Sequence, residues 1–427
     1  MADGWHIRGG RIVDPFVGRD EVADLWIEGD VVAGAPHSGP GDIGEIDASG
    51  LVLVPGFIDL HVHLREPGNE AAETVDSGAH AAAAGGFTTI VAMPNTQPPM
   101  DTADEIQALL ARAAAAGQAH VLPAACITRD RAGAELADLA ALSRAGAVAF
   151  TDDGSTVPKA AVMAEAMRQA RRLRLPILDH ALDQALAGNG VMHEGETSRR
   201  LALPGIPSEA ESRIVARDIA LAKETGCAIH IQHVSAAESV RLIRDARQEG
   251  VRVTAEATPH HLALTDAAVR LDDTRLKINP PLRTEADRTA IIEGVADGTL
   301  QTLATDHAPH TASAKAKGWL AAPFGVVGLE TAVGVTYTVL VKAGVLSLSD
   351  WVRRWTLGPA SVLRLPAPTL SDGARADLAI LDLEREWTVR AADFVSRSRN
   401  TPFDGWKLQG RAVYTFCAGR LVHEAKR

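Results

Sequence analysis

Eight short apolar runs, separated by alanine-rich helical stretches, fill the middle of this 427-residue chain. They lie at 54–63, 87–93, 120–127, 147–153, 176–180, 228–233, 251–258 and 301–306. Strands alternating with helices imply parallel pairing with helical crossovers. Eight such units predict an α/β fold, a closed (β/α)8 TIM-like barrel. An open doubly wound sheet is the alternative, but no glycine-rich phosphate loop follows any of the runs. Further strand-like runs begin at Trp5, Gly10, Asp24 and Asp30, and again at Ala376, Glu386 and Arg411. They predict a small β-sandwich domain built from both termini, residues 1–54 with 366–427, flanking a barrel over 55–365.

In such a barrel, chemistry gathers at the C-terminal strand ends, and here those ends are polar. The first apolar run, 51–60, is closed by His61-Val62-His63. Residues two apart on a strand share a face, so both imidazoles aim at one point. Converging imidazoles begin a divalent-metal site, and zinc suits them best. Run four ends in Thr151-Asp-Asp-Gly154, offering Asp152 or Asp153. Run five ends at His180, run six at His233, and run eight at Asp306-His-Ala-Pro-His310. Five strand ends carrying His or Asp make a metal centre the expected use of the barrel mouth. Arg65 follows His63 by two residues and shares its face if strand geometry persists, where its guanidinium suits a bidentate carboxylate contact. By the same alternation, His230 points opposite to His233, toward the outer helices. His260 and His261 could line the mouth.

Composition narrows the class. A net charge of −11 argues against a nucleic-acid or anionic-membrane partner. The three cysteines, Cys126, Cys227 and Cys417, build neither a disulfide framework nor a zinc-finger spacing, which fits a reducing cytosol. The first residues lack the basic-then-apolar pattern of a signal peptide, and no stretch is long and apolar enough to span a bilayer.

The run Pro55-Gly-Phe-Ile-Asp-Leu-His-Val-His-Leu-Arg-Glu-Pro-Gly68 resembles the signature of the amidohydrolase superfamily, and of class I dihydroorotases in particular. Segments 85–96, 277–283, 304–310 and 323–330 resemble the same family in order, so the likeness runs nearly end to end. It implies that His61 and His63 hold one zinc with Asp306, that His180 and His233 hold a second, and that Asp153 bridges the pair. Asp306 would be the catalytic acid/base. His63, Arg65, Asn95, Asn279 and His310, with groups at Phe324 and Gly325, would contact substrate. The implied activity is reversible cyclisation of N-carbamoyl-L-aspartate to dihydroorotate in de novo pyrimidine (UMP) synthesis. The implied enzyme is a cytoplasmic homo-oligomer open to association with aspartate transcarbamoylase.

The chain also departs from patterns common in the superfamily. No lysine ends run four to serve as a carbamylated bridge, and the nearest, Lys159, lies past a proline. That disfavours dihydropyrimidinase, hydantoinase and allantoinase. Residue 181 onward reads Ala-Leu-Asp where relatives often have Cys-Glu-Asp. Segment 311–322 carries Ala, Lys and Gly where acids are common, and its composition suggests a mobile loop over the site. A metal-free scaffold is the non-enzymatic alternative, and the complete donor set argues against it.

Overall fold

Burial of the eight central runs decides the architecture. In the computed structural model, which describes residues 4–34 and 43–425, they form one parallel sheet in sequence order. Its strands are Phe57–Val62, Phe87–Ala92, His120–Ala125, Ala149–Phe150, Ile177–Asp179, Ile229–Ile231, Val253–Ala257 and Thr302–Leu303. Strands one and eight meet through side chains. The Asp59 carboxylate accepts from Thr305 N at 3.1 Å and Thr305 Oγ1 at 2.5 Å, and Val62 bridges His307 in parallel just beyond. The sheet thus closes into the (β/α)8 barrel expected from the alternation.

The helices between strands follow from their spacing and caps. In Ala103–Ala116, the buried side chains are Ile106, Leu109 and Ala113, three and four residues apart and so on one stripe. Thr102 caps its start, accepting from Glu105 N, and Gly117 ends it in the left-handed conformation at φ 64°. Alanine serves close packing: Val75–Ala84 buries Ala79, Ala81, Ala82 and Ala83. After strand eight, Leu348–Trp355 inserts Trp351 and Trp355 beside Phe57 and Phe87 on strands one and two.

Strands from both ends of the chain form a separate eight-stranded sheet. Its first strand, Gly4–Asp14, bulges between Ile7 and Gly10 and pairs Ile43–Asp47 before the bulge and Val52–Pro55 after it. Leu378–Thr388 joins Val52–Pro55 to Lys407–Cys417. The apolar run 51–60, read from sequence as one strand, is therefore two strands in two sheets. The break falls at Gly56, where a Cβ would lie 2.1 Å from Thr88 Oγ1, so only glycine lets the chain cross strand two there. His120 Nε2, at the start of strand three, lies 3.1 Å from Asp377 Oδ1 and ties the two sheets together.

The Asp59–Thr305 closure is fully buried, and burial pushes the Asp59 carboxyl up to about 7 against the hydrogen bonds that favour its charge. Thr305→Val removes one donor from that carboxylate. Stability is expected to fall by about 1–3 kcal/mol, read as a lowered urea midpoint with an unchanged denaturant slope.

Candidate active site

The polar strand ends converge at one mouth of the barrel. His61 Nε2 lies 3.1 Å from Asp153 Oδ1 and 3.5 Å from Asp306 Oδ1. His63 Nε2 lies 3.1 Å from Asp306 Oδ1 and 3.5 Å from Asp153 Oδ2. His180 Nδ1 is 2.8 Å from His233 Nε2 and 3.6 Å from Asp153 Oδ1, and His233 Nε2 is 3.9 Å from the same oxygen. All six side chains are buried. Two left-handed residues aim the last members: Asp306 at φ 48° and His233 at φ 32°. Such backbone costs of order 1–3 kcal/mol at a non-glycine residue and clusters at functional sites.

Some polar atoms of these side chains are left without hydrogen-bond partners. His61 Nε2, Asp153 Oδ1 and His233 Nδ1 are buried and make no hydrogen bond, although carboxylate and imidazole lie within reach. Buried polar atoms are ordinarily paired. Ligand atoms of His61, His63 and Asp306 fit within 4.8 Å of one another, as do those of His61, Asp153 and His233. Imidazole and carboxylate donors so arranged suit a divalent cation such as zinc.

The electrostatics point the same way. Burial lowers the basicity of His61, but the charges of Asp153 and Asp306 overcome it and hold that imidazole well above its usual range. Burial, reinforced by His180 and His61, pushes His233 down to about 3. Burial raises the carboxyls of Asp153 and Asp306, yet the facing imidazoles pull both below the usual carboxylate range. Two carboxylates held toward their ionised form thus face four buried imidazoles.

Glu256, on strand seven, organises this cluster and is the functional residue that sequence reasoning missed. Its Oε1 accepts from His61 Nδ1 at 2.8 Å and from the His233 backbone N–H at 3.0 Å, while Oε2 lies 2.9 Å from His230 Nε2. Burial raises its carboxyl, but the hydrogen bonds from His230 and His61 outweigh that and hold it down to about 2. A carboxylate on Nδ1 fixes the His61 tautomer so that Nε2 presents its lone pair to the centre. The only sequence signal was an acid interrupting a strand of small residues, Val-Thr-Ala-Glu-Ala.

His230 therefore does not point at the outer helices. It braces Glu256 and bonds Thr254 Oγ1 at 2.9 Å. The alternation argument failed because the strand stops at Ile231 and His233 turns left-handed, so parity does not carry across. The choice within Thr151-Asp-Asp-Gly154 is also settled locally. Asp152 accepts from the Ile127 and Thr128 backbone N–H groups and the Thr128 hydroxyl, so it anchors the loop after strand three. Asp153 is left for the cluster.

Around the centre, Asn95 Oδ1 accepts from His63 Nδ1 at 2.9 Å, and the Asn279 amide nitrogen lies 3.1 Å from His180 Nε2. Both amides orient imidazoles, and Asn279 Oδ1 remains buried without a partner. Arg65 leaves strand geometry at φ 61°, because strand one ends at Val62. Its Nε donates to Pro309 O at 3.1 Å and its Nη2 lies 3.3 Å from His310 Nε2. Burial lowers the guanidinium to about 10, still cationic at neutral pH. His310 Nε2 donates to Phe324 O at 2.7 Å. The Gly325 N–H is already taken by Lys277 O at 2.9 Å. His261 is held between Thr258 Oγ1 and Pro280 O, while His260 is buried with an unpartnered Nε2. Lys159 stands exposed before helix Ala160–Leu173.

Segment 311–322 is packed rather than loose. It forms two short helices, Ala312–Lys315 and Gly318–Ala321. The buried Lys315 ammonium donates to Pro323 O and Gly325 O at 3.0 Å each and to Lys277 O at 3.3 Å. Lys277 Nζ in turn donates to Trp319 O at 2.6 Å and sits 4.6 Å from the centre of the Phe324 ring. Alanine and lysine composition concealed these anchors. Glu256→Gln keeps the size but weakens the acceptor, so divalent-metal affinity is expected to drop about 10- to 100-fold, measured by competition with a chromogenic chelator.

Residues 50–239 match the family model described as dihydro-orotase-like. The chain is 52% identical to a dihydroorotase of Geobacillus sp. strain WCH70 over 382 residues, covering 90% of each. It is 49% identical to a dihydroorotase of Anaeromyxobacter sp. strain K over 428 residues, covering 99% of each. Among solved structures it resembles an L-hydantoinase (dihydropyrimidinase) of Arthrobacter aurescens. There the TM-score is 0.85 at 27% identity, covering 99% of this chain and 96% of the other. A D-hydantoinase of Thermus sp. shares the fold at a TM-score of 0.83 and 22% identity, covering 98% and 95%.

Proposed function

The chain belongs to the dihydroorotase family, and from that membership we propose that it is a zinc-dependent cyclic amidohydrolase interconverting N-carbamoyl-L-aspartate and dihydroorotate. The observation that carries the reading is the juxtaposition at one barrel mouth of a carboxylate-imidazole cluster with unpartnered buried atoms and a half-buried arginine, Arg65. The first supports amide hydrolysis. The second supports a substrate bearing a carboxylate.

His61, His63 and Asp306 would hold one zinc ion, and His180 and His233 a second, with Asp153 between them. Zinc bound there supplies a readily ionised water and polarises the carbonyl to be attacked. The chain's own residues do the rest. Asp306 accepts one proton from the attacking water and returns it to the departing ring nitrogen, while the water's second proton is released to solvent as the new carboxyl group ionises. In cyclisation it removes the proton from the carbamoyl nitrogen instead. Asn95 and Asn279 hold the His63 and His180 rings still, which preserves the attack geometry. Arg65 neutralises the substrate carboxylate through its Nη groups while Nε stays anchored on Pro309 O. Phe324 O and His310, already bonded to each other, form the wall on the same side.

Among the described residues no helix is long and apolar enough to cross a membrane. A cytoplasmic, homo-oligomeric enzyme of pyrimidine synthesis, able to work beside aspartate transcarbamoylase, is part of the same proposal, as is the domain division at residues 54 and 366. The test is ring opening of dihydroorotate, hydantoin and allantoin by protein stripped of metal and then titrated with zinc. Dihydroorotate activity is expected to return in proportion to zinc. Asp306→Asn is expected to lower kcat by about 10²–10⁴-fold. Activity indifferent to chelation, or a preference for hydantoin, would contradict the reading.

A further inference from the structure

Beside the barrel mouth lies a second cavity of about 650 Å³. It is lined by Ala71 and by residues of three segments: 270–275, the capping segment from His310 to Ala316, and 397–400. Its lining is markedly cationic. Arg270, Arg275, Arg397, Arg399 and Lys315 face it, against the carboxylates of Asp272 and Asp273. Asp273 is engaged by Arg275 through two contacts of 2.8 and 2.9 Å, and Lys315 by three backbone carbonyls. The exposed guanidinium groups of Arg270 and Arg397, by contrast, make no ion pair or side-chain hydrogen bond among the described residues. His310 lines this cavity and also adjoins the proposed substrate site: its Nε2 is 3.3 Å from Arg65 Nη2, and its backbone N–H donates to Asn400 Oδ1 at 3.1 Å.

This placement addresses a problem set by the whole molecule. A chain of net charge −11 repels an anionic substrate approaching from bulk solvent. Salt screens charges beyond roughly 8–10 Å, so local groups at the entrance decide the field an arriving anion meets. Uncommitted guanidiniums gathered at one concavity make that local field positive.

We propose that this arginine-lined cavity is an anion-receiving vestibule, in which Arg270 and Arg397 capture the carboxylates of the substrate before Arg65 takes them at the catalytic centre. The proposal rests on the dihydroorotase reading, because it requires a carboxylate-bearing substrate. N-carbamoyl-L-aspartate carries two carboxylates and dihydroorotate one, so the vestibule favours the open form more strongly. Neither arginine touches the reacting atoms. Their contribution therefore appears in kcat/KM and not in kcat.

The experiment measures kcat/KM in both reaction directions against ionic strength, for the zinc-loaded wild type, the double variant Arg270→Gln/Arg397→Gln, and the charge-preserving Arg270→Lys/Arg397→Lys. Both positions are exposed, and a thermal melt checks that each variant remains folded. The glutamine variant is expected to lose about threefold to tenfold in kcat/KM at low salt, more for N-carbamoyl-L-aspartate than for dihydroorotate. It is also expected to show a flatter salt dependence and an unchanged kcat, and the lysine variant to recover the wild-type slope. Wild-type values and slopes in the glutamine variant would overturn the vestibule while leaving the dihydroorotase reading intact. So would loss in the lysine variant equal to that in the glutamine variant, since charge would then not be the cause. Failure of the zinc-loaded wild type to turn over either substrate would overturn the dihydroorotase reading, and the vestibule with it.

Discussion

Glu256 grips three groups at once: the His61 ring, the His233 backbone and the His230 ring. Everything at the barrel mouth depends on that grip. A free imidazole chooses between two tautomers and rotates about its side chain. One held by a carboxylate at Nδ1 has one tautomer and one orientation. The His233 backbone bond holds the left-handed residue just past the end of strand six, whose imidazole lies 2.8 Å from that of His180. A single buried carboxylate thus couples strands one, six and seven, and the geometry of the centre follows.

The barrel supplies the remaining constraint. A parallel sheet closed on itself delivers every strand end to the same rim, so residues separated by hundreds of positions come within hydrogen-bonding range. Closure between strands one and eight depends on Asp59 holding Thr305, one residue before Asp306. The contact that seals the barrel therefore also sets the backbone that aims the proposed catalytic carboxylate. Around the rim, amides and carbonyls of Asn95, Asn279, Pro309 and Phe324 fix rings and guanidinium in place. The cap over 311–322 is stapled by Lys315 to the loop that carries Phe324 and Gly325. Mobility of that cap is not needed to explain the shape of the pocket.

Much of this was legible in the sequence, because strand alternation and strand ends leave a direct trace. The eight runs, the terminal strands and the polar run ends could all be read without coordinates. What stayed hidden were departures from regular geometry. Parity placed His230 outward, and a left-handed turn at His233 reversed the inference. The apolar stretch 51–60 read as one strand because hydrophobicity does not record a change of sheet, and only Gly56 marked the crossing. Strand position alone left Asp152 and Asp153 open, the family resemblance pointed to Asp153, and the bonds from the Thr128 loop show what occupies Asp152 instead. Glu256 carried no spacing signal, since its partners lie 195 and 26 residues away. The lysine cage was masked by a composition that resembles a loose linker.

The central claim is that the six converging side chains exist to hold divalent cations. Anomalous X-ray scattering from crystals grown with zinc, collected on either side of the zinc absorption edge, tests it directly. The account predicts one or two zinc peaks among these residues, the first within about 2.0–2.2 Å of the His61 and His63 Nε2 atoms and an Asp306 oxygen. Crystals in which zinc is absent from this cluster, with His61 Nε2, Asp153 Oδ1 and His233 Nδ1 hydrogen-bonded to one another or to water instead, would contradict it.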